Sequence, residues 1–149
     1  MKPKIFLGSD HAGFELKNHI KKYLLKNGYE VEDKGAYSFD KKDDYPDFIV
    51  PVAKEVKKNL ERRGIIFGAS GQGEAIVANR VRGARAAVYY GNNMEIVKLS
   101  RTHNNANILS LGARFVSNEE AIKAVKLWLE TDFSNEERHV RRIKKIDKA

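Results

Sequence analysis

No cysteine occurs anywhere in the 149 residues, which excludes disulfides, thiolate-held metals and a cysteine nucleophile. Long apolar runs are missing too. Nothing approaches the run of about 18 residues that a membrane-spanning helix requires. The N-terminal MKPKIFLGSD has too short an apolar core for a signal peptide and no small-residue cleavage site. The expectation is therefore a cytoplasmic protein with no membrane partner. Familiar site signatures fail as well. GSDHAGF is not the GxGxxG of a dinucleotide fold, and GASGQGEA has no lysine after its last glycine, as a Walker loop would. Gln72 stands where a nucleophile elbow needs glycine. Four histidines lie far apart without HExxH-like spacing, so a protein metal site is not expected.

What is present suits one compact domain over 1–149, with 42% hydrophobic residues. The formal net charge is +8, which raises two readings. One is nucleic-acid binding through phosphate neutralisation. The other is a solvated surface with a site for a small anion. Much of the excess sits in the tail EERHVRRIKKIDKA, and aromatics do not interleave with the basic residues as in single-strand binders. The second reading is favoured, with no nucleic-acid partner.

Apolar runs and helical stripes alternate along the chain. KIFLGSD (4–10) reads as a buried strand, and Leu16, Ile20, Tyr23 and Leu24 fall at helical spacing before Gly28. YEVEDKG is a second strand. FDKKDDYPDFIVP reads as a loop, with Pro51 in the first turn of a helix carrying Val52, Ala53, Val56 and Leu60. GIIFGA (64–69), RAAVYYG and ANILSLGAR supply three more strands, and EAIVANRV and NMEIVKLSRTHN two more helices. SNEE occurs at 117–120 and again at 134–137, each predicting a capping box. The first opens a helix packing Ala121, Val125, Trp128 and Leu129; the second opens a basic tail helix at about 135–147. This alternation predicts an α/β fold: about five mostly parallel strands with helices on both faces and right-handed crossovers. Ligands in such sheets bind beyond the C-terminal strand ends.

Each candidate there has a plain structural reading beside a functional one. Asp10 and His11 end the first strand, where Asp10 suits a helix cap as well as proton transfer. The loop 68–73 frees backbone N–H groups at a helix start, a nest for a phosphate or for the oxyanion of an intermediate. Glu74 in that first turn also simply complements the helix dipole. His103 sits at a helix end, where it can satisfy carbonyls. Arg114 follows the fifth strand and reads equally as a surface charge. Arg138 and Arg142 are spaced i, i+4 and can clamp a phosphate with forked donors or merely solvate the tail.

SDHAGFELK, the DYP of Asp44-Tyr45-Pro46, GASGQGEAIVANR, LSRTHNNANILSLGAR and ERHVRRI occur in this order. Together they resemble the motifs of the type B ribose-5-phosphate isomerases, a family that includes galactose- and allose-6-phosphate isomerases. The similarity spans about residue 4 to residue 147. It implies a Rossmann-like homodimer, often paired into tetramers, with the active site shared between subunits and no metal or cofactor. The implied reaction is aldose–ketose isomerisation of a sugar phosphate through an enediolate. In one branch the base is a cysteine at the position of Gly68; in the other it is a glutamate just after the loop, which is Glu74 here. The resemblance gives the enediolate oxygens to Ser70 and to the amides of Gly71, Gln72 and Gly73, with Ala69 completing the loop. It gives ring opening to His103 assisted by Asp10, sugar contacts to Asn104 and Tyr45, and the phosphate to His11, Arg114, Arg138 and Arg142. The tail arginines and His139 are expected from the partner subunit. Ribose 5-phosphate is the expected substrate. Alternatives are a hexose 6-phosphate, or a non-catalytic module binding phosphate or RNA.

Overall fold

The structure is a computed structural model and describes residues 2–149. Five strands form one all-parallel sheet: β1 (Ile5–Ser9), β2 (Val31–Asp33), β3 (Arg63–Gly68), β4 (Ala86–Tyr89) and β5 (Ile108–Gly112). Their spatial order is β2-β1-β3-β5-β4. Six helices cover it: α1 (Phe14–Lys26), α2 (Pro46–Val56), α3 (Gln72–Asn79), α4 (Glu95–Thr102), α5 (Asn118–Glu130) and α6 (Glu137–Asp147). The α/β alternation expected from the sequence is thus observed, with a sheet that is wholly rather than mostly parallel.

The strands are buried on both faces, which is why they read as continuous apolar runs. Alternate residues serve two cores. Ile5, Leu7, Ile65, Phe67, Leu109 and Leu111 pack on Leu16, Ile20, Val125 and Trp128. Phe6, Ile66 and Ile108 turn to the other face, against Ile49, Val52, Val56 and Ala78. Each fully buried side chain of this size contributes about 1.5–3 kcal/mol.

Three local expectations are corrected. The second helix starts at Pro46, whose missing N–H costs nothing in a first turn; Pro51 lies inside the helix. Leu60 falls beyond the helix end and is 89% exposed, so it is no part of the apolar stripe. The first SNEE makes half a capping box: the Ser117 hydroxyl accepts from the Glu120 N–H at 3.1 Å. The Glu120 carboxylate instead accepts from the Tyr89 hydroxyl at 2.7 Å, tying α5 to β4. The second SNEE makes no box. Glu136 is the N-cap of α6, and Ser134 only accepts from the Glu136 N–H at 3.4 Å.

Chain direction decides where a ligand fits. From β1 the chain moves outward to β2, and from β3 it moves the other way, to β5 and β4. The two directions diverge between β1 and β3, which opens a crevice at their C-terminal ends.

Candidate active site

At that crevice β1 runs into Asp10, and a single 3-10 turn (His11–Gly13) follows. Asp10 Oδ1 accepts from the N–H groups of Ala12 at 3.0 Å and Gly13 at 3.4 Å. The capping role anticipated for it is therefore real, and it leaves Oδ2 facing His11 Nδ1 at 4.0 Å. Both residues line a cleft of about 350 Å³ together with Tyr45, Ala69, Ser70, Gly73, Glu74 and Arg114. Arg114 is exposed at the rim, just past β5.

The loop after β3 turns through Gly71 in the left-handed region, at φ 79°. A side chain there would be strained in backbone and would press on the Ser110 hydroxyl and the end of β5. That hydroxyl donates to the Gly71 carbonyl at 2.7 Å and holds the turn in place. Ser70 Oγ accepts from the Gln72 N–H at 3.3 Å. Gln72 is itself exposed and is not among the residues lining the cleft. The Tyr45 ring lies over Gly73, close enough that a Cβ there would meet its hydroxyl at 2.5 Å.

Glu74 is the more deeply buried of the two cleft carboxylates, 4% exposed against 7% for Asp10. Its carboxyl fills the space that a Cβ on Gly68 would occupy. Burial pushes its pKa up. Its own backbone N–H pulls the other way, the Asp10 carboxylate raises it again, and the Gly71 N–H lowers it. The net result is a carboxylate held above the ordinary glutamate range, close to oriented N–H groups at a helix start. A base poised to take a carbon-bound proton beside a nest for the resulting oxyanion has this arrangement.

The remaining candidates lie elsewhere. His103 caps the C-terminus of α4, and Asn104 follows it, exposed. The buried Arg101 fixes this turn by donating to the Ala106 carbonyl at 2.6 Å and to Asn105 Oδ1 at 2.9 Å. The tail returns to the same place, where the Ser134 N–H donates to the Thr102 carbonyl at 3.2 Å. His139 on α6 stacks flat on His103, with ring centroids 4.3 Å apart and planes 19° apart. Burial lowers the pKa of His139, and His103 and Arg138 lower it further. Arg138 and Arg142 are exposed beside this pair, and Arg138 bonds Glu136 at 3.0 Å.

This second group stands at the opposite edge of the sheet. The Asn107 carbonyl, just past the His103 turn, accepts from the N–H of Gly64, at the start of β3. Asp10, Ser70 and Glu74 lie beyond strand ends. Strands of five or six residues, at about 3.3 Å each, separate the two groups by roughly 16–20 Å. One chain therefore gathers the sequence candidates into two half-sites and does not join them. A larger cavity of about 520 Å³ lies at the His103 edge, beside Asn104, but its size outranks its chemistry, since Glu74 and the nest are across the sheet.

A family profile described as Ribose/Galactose Isomerase matches residues 5–146. The chain belongs to the ribose/galactose isomerase family. A ribose-5-phosphate isomerase B of Mycolicibacterium paratuberculosis is 42% identical over 140 residues, which cover 94% of this chain and 87% of that protein. Two solved structures are similar throughout. Ribose-5-phosphate isomerase B from Mycoplasma genitalium, with bound ribulose-5-phosphate, superposes with a TM-score of 0.92 at 42% identity, over 97% of this chain and 94% of that one. The Thermotoga maritima ribose 5-phosphate isomerase matches with a TM-score of 0.92 at 44% identity over the whole of both chains.

One residue behind the cleft lining carries no signal in the sequence. Asp43 is packed against His11, accepting from its ring Nδ1 at 2.7 Å. In DKKDDYP nothing separates it from four neighbouring charges until the chain folds. Asp10, His11 and Asp43 offer donor atoms within 4.8 Å of one another. Within this cluster Asp10 Oδ1 is engaged with the turn and Asp43 Oδ1 with His11, while Asp43 Oδ2 has no hydrogen-bond partner. Among the described residues no helix is long and apolar enough to cross a membrane.

Proposed function

We propose that this protein interconverts ribose 5-phosphate and ribulose 5-phosphate, with Glu74 as the base that carries the proton between C2 and C1. The observation that carries this reading is the buried Glu74 carboxylate, its pKa raised, set against the loop 69–73 at the start of α3. Family membership and the relatives' activity support the substrate.

Going from aldose to ketose, Glu74 takes the C2 proton and the pair of electrons moves to the carbonyl oxygen O1. The Ser70 hydroxyl and the loop amides of Gly71 and Gly73 hold the enediolate oxygens where that charge develops. The O2 proton passes to O1 as the C2 carbonyl forms, and Glu74 returns its proton to C1. The furanose must open first: one group removes the anomeric O–H proton while another protonates the ring oxygen. His103 and Asp10 suit these tasks but stand at opposite edges of one chain. The reading therefore includes a homodimer, in which His103 of the partner subunit faces Asp10. Asn104, Arg138 and Arg142 arrive with it, and Arg114 and His11 meet them across the phosphate. Gathering basic groups about a dianion also gives the net charge of +8 a function.

The test is direct. Purified protein in EDTA is expected to equilibrate ribose 5-phosphate with ribulose 5-phosphate. No conversion, with the protein folded, overturns the assignment.

A further inference from the structure

The proposed chemistry leaves one acid, packed against the cleft residue His11, without a task. Asp43 sits in the segment between β2 and α2, with its side chain 9% exposed. A single oxygen, Oδ1, accepts from both N–H groups of His11: the backbone at 3.0 Å and ring Nδ1 at 2.7 Å. Its other oxygen, Oδ2, is buried with no hydrogen-bond partner. Phe39 closes the outer side, its ring edge-on to His11 at 6.1 Å and 90°. The Asp10 carboxylate also faces His11, but at 4.0 Å it is beyond hydrogen-bond range, so Asp43 alone sets the ring.

The chemistry follows from the donors and acceptors. A carboxylate only accepts, so the shared hydrogen lies on His11 Nδ1. Nε2, on the far side of the ring, is left for the cleft. A phosphate dianion also only accepts, so binding it through Nε2 requires a hydrogen there as well. The ring is then an imidazolium, and Asp43 supplies its counter-charge in a partly dry site. A bare carboxylate beside an anion site would otherwise repel the ligand. Asp43 can favour binding only through His11.

We infer that Asp43 is a positioning residue for substrate phosphate: it fixes the tautomer and orientation of His11 and balances its charge when the phosphate is bound. The inference rests on the sugar-phosphate reading, and its test separates the two. Isomerase activity of the unaltered protein decides the reading. For the inference, D43N keeps an acceptor for Nδ1 but loses the charge. KM for ribose 5-phosphate and Kd for inorganic phosphate should both rise about tenfold, with kcat changed less than about threefold. In an H11Q background D43N should add almost nothing, because the pair acts as one unit. Imidazole nitrogen NMR on the unaltered protein needs no variant. It should find His11 protonated at Nδ1 when free and at both nitrogens with inorganic phosphate bound. Additive effects of D43N and H11Q, a fall in kcat at unchanged KM, or a free His11 protonated only at Nε2 would each overturn the inference.

Discussion

The carboxylate of Glu74 occupies the space that a Cβ on Gly68 would need. Gly68 ends β3 and Glu74 sits in the first turn of α3, so strand end and helix start share one small volume. The carboxylate fits there because the residue beneath it has no side chain.

Gly68→Ala should therefore displace the carboxylate without unfolding the sheet. A shift of about 1 Å at a reacting centre costs on the order of 100-fold in rate. Steady-state kinetics should give a fall of that size in kcat with KM little changed. Near-normal turnover would mean that Glu74 does not act from this position.

The raised pKa of Glu74 has two consequences of defined sign. The proposed base acts as its carboxylate, so kcat/KM should fall on the acid side at a pH above the ordinary glutamate range. Stability runs the other way. A group whose folded pKa lies above its unfolded value holds its proton more tightly when folded. Stability is therefore lost as pH rises from the unfolded pKa through the folded one. Glu74→Gln escapes that loss, so its Tm should exceed that of the unaltered protein at pH 7 and converge with it near pH 4. A lower Tm for the variant at pH 7 would contradict the burial-raised pKa.

Much of this arrangement could be read from residues in order. Ile5 to Ser9 and Gly64 to Gly68 are apolar because both sheet faces are covered, and that pattern is local. The start of the second helix is hidden in the sequence because Pro46, Pro51 and four acids between 40 and 47 resemble a loop. Only packing of Ile49, Val52 and Val56 on Phe6 and Ile66 shows the helix beginning early. Glu74 alone reads as a helix-dipole complement; its pKa is raised by burial in the folded cleft, with a smaller push from Asp10, which is 64 residues away in sequence. The His103–His139 stack and the Asp43–His11 bond are likewise contacts across the fold that no spacing rule reports.

The two half-sites give a prediction for subunits. Glu74→Gln and His103→Ala variants should each be almost inactive. Mixed by co-refolding, half the dimers are heterodimers, and each of these has one site carrying neither change. About a quarter of unaltered activity should return, on the assumption of random pairing and independent sites. Failure to recover activity, with heterodimers demonstrated, would place Glu74 and His103 in the same chain's site or in none.

The central claim is that Glu74 moves a proton between C2 and C1, and exchange with solvent measures this most directly. Ribulose 5-phosphate incubated with enzyme in D2O and EDTA, followed by proton NMR, should gain deuterium at C1 and return ribose 5-phosphate labelled at C2. Glu74→Gln should still bind the sugar phosphate while exchange falls by several orders of magnitude. Exchange or isomerisation at a normal rate in Glu74→Gln would contradict it.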